Sequence, residues 1–189
     1  AVRRECADEE TFLQEYMCIP SDDAGAFISY DLIDASVYPA GTAWEEELNP
    51  AAHYVLGGDI GRVHDLTVLW LLQVEGKSRR TVRIIELANM PFSEQAAVID
   101  KYAAMPWVKR VCLDATGIGR QLAEDARRRH GGKVEEVQFT AGVKEDLAIT
   151  LRRCMEDGEF RMPNKPELIS DFRSIRKETT SAGNVRYVG

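Results

Sequence analysis

Tyr54–Leu72, YVLGGDIGRVHDLTVLWLL, decides how the rest of the chain is read. It opens as a strand, passes through an acidic turn and continues as a second, more apolar strand. Asp59 stands where the first hydrophobic run ends, between Gly58 and Ile60–Gly61, and Asp65 lies at the start of the second run. A carboxylate at the edge of a core is costly unless it is paired or bound to a cation. The stretch VKRVCLDATGIG repeats the pattern: Asp114 closes the run Val111–Cys112–Leu113 and precedes a glycine-containing helix start. Two strands that each end in Asp are the first pointer to function.

Working outward, strands are expected over about 53–60, 65–74 and 80–88. The unbroken apolar run of the second fits a strand buried on both faces. Short turns join the three, so they should pair antiparallel. Ser93 is the expected cap of a helix over 94–104. A strand at 109–114, a helix at 118–130 with Ile118 and Leu122 inward, a strand at 133–139 and a helix at about 143–157 follow. Leu147, Leu151 and Cys154 or Met155 give that last helix its apolar stripe. A helix over 166–175 and a hairpin, Lys177–Ser181 with Asn184–Val188, close the chain. The fold class is α/β: a mixed sheet of three antiparallel strands followed by parallel strands, flanked by helices, with right-handed crossovers.

The 189 residues fit one domain with an appendage, and 44% hydrophobic content supports a sizeable core. No apolar run is long enough for a transmembrane helix, and no signal peptide is present, so no membrane partner is expected. The chain lacks an initiator Met, which suggests a fragment or a processed product. Cys6, Cys18, Cys112 and Cys154 are scattered, as are His53, His64 and His130, which reads as reduced thiols and argues against a His/Cys zinc site. Net charge is −7, but unevenly spread: residues 1–50 carry 2 basic and 12 acidic side chains, the rest 22 and 19. The body is mildly basic, which permits DNA binding. In the acidic leader, short helices are expected at Asp8–Met17 and Tyr30–Ser36.

If strands one and four are parallel neighbours, Asp59 and Asp114 come together, since adjacent strands lie about 4.8 Å apart. Two carboxylates so placed repel unless a cation lies between them, and hard ions such as Mg²⁺ prefer carboxylate oxygen. The plainer alternative is that Asp59 begins a turn and Asp114 caps a helix. Asp65 is either an acid acting behind the first two or a strand-start turn residue. Thr116–Gly119, TGIG, fits a tight strand-to-helix turn; neither a P-loop nor a dinucleotide fingerprint is present. Arg127–Arg129 suit a helix C-terminus. Arg62, Lys144, Arg152, Arg153 and Arg186 are candidate DNA-phosphate contacts, set against a solvated surface.

The runs YVLGGDIGRVHDLTVLWLL, VCLDATGIGRQLAEDARRR and FRMPN with the closing hairpin resemble the nuclease domain of phage terminase large subunits, in particular the Mu-like branch. The resemblance covers about residues 53–189. It implies an RNase H-like fold, two-metal phosphodiester hydrolysis with Mg²⁺ or Mn²⁺, and cutting of viral double-stranded DNA during head filling. It assigns metal binding to Asp59 and Asp114 and an assisting role to Asp65. Residues 1–52, with TFLQEYMCIP and AFISYDLI, resemble the acidic linker from an ATPase domain. Implied partners are that ATPase domain, the small terminase subunit and the portal, in the host bacterial cytoplasm. The family's third acid follows the hairpin, so the domain is expected to be truncated at its C-terminus; Asp146 and Asp171 have no spacing that suits them to replace it. The alternatives are a non-catalytic DNA or portal docking module, and an RNase H-like recombinase or junction resolvase. A Rossmann-like nucleotide binder is disfavoured by the antiparallel opening.

Overall fold

The computed structural model describes residues 26–61, 66–179 and 185–188. Two compact units divide the chain, one of residues 36–164 and the other of residues 1–35 with 165–189.

The larger unit is built on a six-stranded sheet in the order β5-β4-β1-β2-β3-β6. Strands β1 (His53–Asp59), β2 (Thr67–Glu75) and β3 (Ser78–Leu87) form an antiparallel meander, as the short turns require. Strand β4 (Val108–Asp114) then pairs parallel with β1, and β5 (Val134–Val137) parallel with β4. The sheet is therefore mixed, in the expected order. An addition at the far edge is β6 (Phe160–Arg161), which pairs parallel with β3. Two residues are too few to show a period of two in the sequence.

Alternation along the strands sorts side chains to two faces. Tyr54 and Leu56 of β1, Leu69 and Leu71 of β2, and Val111 and Leu113 of β4 are buried in one core. Helices α2 (Phe92–Ala103) and α3 (Gly119–His130) cover it with Ile99, Tyr102, Leu122, Ala123 and Ala126. Gly57, Asp59, Arg110, Cys112 and Asp114 fall to the opposite face. The register shift between Tyr54 and Val55, where Val108 and then Arg110 are the partners, brings the ends of β1 and β4 into step.

Helix starts differ from expectation in instructive ways. Helix α2 begins at Phe92 behind Pro91, and Ser93 lies inside its first turn rather than capping it. Pro is well suited to a helix start because it has no N–H to leave unpaired. Ile118 precedes α3 and is 37% exposed rather than inward. Helix α4 (Ala141–Glu156) is capped by the Thr140 hydroxyl, which accepts from the Val143 amide at 3.3 Å. Its inward stripe is Ala148, Leu151 and Met155, with Cys154 beside it; Leu147 is 49% exposed, because it faces a cleft instead of the core.

Within the smaller unit, helix α1 (Tyr30–Ser36, its last residue passing into the larger unit) lies where its sequence placed it. Helix α5 (Pro166–Ser174) and the hairpin of β7 (Arg176–Thr179) and β8 (Val185–Val188) complete it. Phe27 packs edge-on against Tyr187 with ring centroids 4.8 Å apart, and the Arg173 guanidinium sits 3.6 Å from the Tyr30 ring centre. The helix expected at Asp8–Met17 lies outside the described residues.

Candidate active site

Asp59 and Asp114 each stand one residue beyond the parallel pair Gly58–Leu113, at matching ends of adjacent strands. Both line a cleft of about 500 Å³ on the face away from the core. Its floor is Gly57, Cys112 and the two acids; Val143 and Leu147 of α4 face them. Burial raises the Asp59 pKa above the ordinary carboxylate value, the neighbouring Asp114 charge raises it further, and a hydrogen bond with the Ile60 backbone opposes both. Asp59 is exposed at the strand end, so this is partial desolvation at the mouth of a cleft.

Asp114 also does local work. Its Oδ1 accepts from the Thr116 amide at 2.7 Å, closing an Asx turn after β4. It does not cap α3 with its side chain. Gly117 adopts φ +61, and a Cβ on Gly119 would fall 2.5 Å from the Asp114 carbonyl oxygen and 3.0 Å from the Ile60 Cβ. The TGIG run is therefore a tight strand-to-helix turn, and Gly119 packs α3 against the backbone of the acid-bearing residues.

Asp59 is braced from the other side. Thr67, fully buried at the start of β2, accepts from the Gly61 amide at 2.8 Å and donates to Gln95 Oε1 at 2.9 Å. Gln95, fully buried on α2, donates in turn to the Met90 carbonyl at 2.8 Å. A buried amide must find partners, and these anchor the backbone two residues past Asp59. Sequence reading missed both residues; a Gln within the apolar stripe of α2 was the available signal.

Asp65 and Arg62 lie outside the described residues. Lys144, Arg152 and Arg153 follow one another along α4, and none lines the cleft. Arg152 pairs with Glu156 at 2.8 Å. Arg186 is on β8 of the smaller unit and pairs with Glu178 at 2.7 Å. The cleft does contain a cation that sequence reading passed over: Arg110, whose Nε donates to Glu135 Oε2 at 2.7 Å. Cys112 beside them has its thiol pKa raised, chiefly by burial and then by the Glu135 charge. Among the described residues no group of three His, Cys, Asp or Glu side chains is placed to hold a metal ion.

A mixed sheet in this strand order, with an acid closing each of the two central parallel strands, defines an RNase H-like domain. Residues 56–186 match the family model described as the Terminase RNaseH-like domain, and the chain belongs to that family. It is 26% identical over 207 residues to the Mu-like prophage FluMu protein gp28 of Haemophilus influenzae, covering 92% of this chain and 41% of that protein. It is 29% identical over 163 residues to the probable terminase large subunit gp28 of Escherichia phage Mu, covering 68% and 30% respectively. The chain thus spans less than half the length of these relatives. In fold it resembles the large terminase nuclease of thermophilic phage G20c with bound magnesium, at a TM-score of 0.69, 22% identity and coverage of 88% of this chain and 90% of that one.

Proposed function

We propose that this domain is a metal-dependent DNA endonuclease that cuts viral DNA during packaging. The observation that carries the proposal is the placement of Asp59 and Asp114 at matching ends of β1 and β4, lining one open cleft. The raised pKa of Asp59 supports it: burial first, and the Asp114 charge second, disfavour its carboxylate, and a bound cation would offset both. All-oxygen donors suit a hard divalent ion, Mg²⁺ or Mn²⁺, and the two acids fit one such ion. When bound, the metal supplies Lewis-acid stabilisation of a phosphodiester oxygen and a more acidic bound water.

The chain's own residues do the rest. The Thr116 amide fixes one oxygen of Asp114, leaving the other for the cation. The Thr67–Gln95 bonds hold the backbone after Asp59, and Gly57 keeps the cleft floor low enough for a phosphate backbone. A second ion needs further donors; Asp65 assists the two acids from behind them. We assign Lys144, Arg152, Arg153, Arg62 and Arg186 no more than phosphate contacts, which position DNA without reading its sequence. On this reading the domain works beside an ATPase domain, a small terminase subunit and a portal in the host cytoplasm, and residues 1–52 form the connecting arm.

Plasmid cleavage with Mg²⁺ or Mn²⁺ tests the proposal. The expected result is metal-dependent nicking by the parent chain that is lost in both Asp59→Ala and Asp114→Ala. Cleavage surviving either substitution would refute the site. DNA binding without cleavage would favour a docking module instead.

A further inference from the structure

Beside the acidic cleft lies a second one, of about 360 Å³, at the C-terminal ends of β4 and β5. Its lining includes Thr116, Gly117, Arg120, Gln138, Phe139 and Thr140. Phe139 lines both clefts, and Thr116 is two residues from Asp114, so the two adjoin. Their chemistry is opposite. The first contains Asp59, Asp114 and Glu135; among the described residues no carboxylate lines the second, in a chain of net charge −7.

The polar groups of the second cleft are set to donate. The Thr116 hydroxyl accepts from the Phe139 amide at 3.2 Å, and the Thr140 hydroxyl from the Val143 amide. With a lone pair on each oxygen already used, each O–H is left to donate elsewhere. Arg120 gives its Nε to Glu124 Oε1 at 2.7 Å, and no other partner of its guanidinium is found among the described residues. Its two η-nitrogens are therefore open to a further acceptor, and the Glu124 pairing holds the side chain in place. Glu136 is the other acid that Arg120 feels. Arg120 in the first turn of α3 and Thr140, the cap of α4, both line the cleft, so two helix N-termini border it and add partial positive charge. At Gly117 a side chain would meet no atom within 4 Å, so the surface there is open.

We infer that this cleft binds the DNA strand next to the phosphodiester being cut, with Arg120, Thr116 and Thr140 holding a flanking phosphate and Phe139 forming the wall between the two sites. This rests on the nuclease reading and adds a direction to it: the strand crosses the sheet end from β1 over β4 to β5. Arg120 is then a DNA-positioning residue, one the sequence presents only as an exposed helix cation.

The test is duplex-DNA binding over a salt series with Ca²⁺ replacing Mg²⁺, together with Mn²⁺-dependent cleavage. Arg120→Gln is expected to weaken binding roughly fivefold to tenfold and to lower the slope of log affinity against log salt by about 1. Its loss in cleavage should appear mainly in KM. Arg120→Lys should keep the salt slope, and Gln138→Glu should weaken binding by adding a charge to the cleft. Lys77→Gln, at the β2–β3 turn at the other end of the sheet, should change none of these. Unchanged affinity and slope in both Arg120→Gln and Gln138→Glu, alongside cleavage that Asp114→Ala abolishes, would overturn this inference and leave the nuclease reading standing. A parent chain that binds DNA with the Arg120 dependence but never cuts would keep the cleft and refute the nuclease. A parent that neither binds nor cuts would overturn both.

Discussion

The two faces of the central sheet are made from the same strands and do opposite things. On one face Leu56, Val111 and Leu113 are fully buried under α2 and α3. On the other, one step along the same strands, Gly57, Cys112, Asp59 and Asp114 line an open cleft whose far wall includes half-exposed Leu147. The period of two lets one strand satisfy stability and chemistry at once, because successive residues of a regular strand point to opposite faces. The closed face fixes the strand ends; the open face exposes whatever those ends hold.

Truncating an apolar residue on each face should separate their roles most clearly. Leu56→Ala should cost about 2–5 kcal/mol in denaturant unfolding, the usual range for a buried leucine. Leu147→Ala should stay within about 0.5 kcal/mol, as for an exposed position. Equal losses would show the cleft to be core. Next comes the join between the faces. Gly119→Ala forces a Cβ onto the Asp114 carbonyl and should cost about 1–3 kcal/mol by overpacking. It should also reduce cleavage more than a stability-matched core variant does, since it shifts Asp114.

The smallest effect has the opposite sign. Asp59 has a raised pKa in the folded chain, so the fold binds its proton more tightly than the unfolded chain does. Its charge is therefore unfavourable to folding above that pKa, and the penalty disappears as pH falls below the unfolded value. Asp59→Asn should stabilise the metal-free protein at neutral pH by a few tenths to about 1 kcal/mol, the scale for like charges facing across strands. The gain should vanish at acidic pH; thermal melts over a pH series read both.

The meander, the later parallel strands and the two strand-ending acids were legible because each is a local pattern: alternation, short turns, and a carboxylate where a run stops. Helix α1 was likewise legible. What stayed hidden depends on neighbours far away in sequence. Gln95 reads as an ordinary helix polar residue until Thr67 reaches it across the fold. Leu147 fits an apolar stripe until the cleft opens beneath it. Arg110 looks like a solvated strand cation until Glu135 of the neighbouring strand pairs with it inside the cleft that holds Asp114. Strand β6 is too short to carry any period. Side-chain chemistry at a strand end survives in the sequence; which open surface it faces does not.

The central claim is that Asp59 and Asp114 form one cation site. Calorimetric titration of the chain with Mn²⁺ tests it most directly. Saturable binding that both Asp59→Ala and Asp114→Ala abolish is the predicted result. Binding that survives in either variant, or its absence from the parent chain, would contradict it.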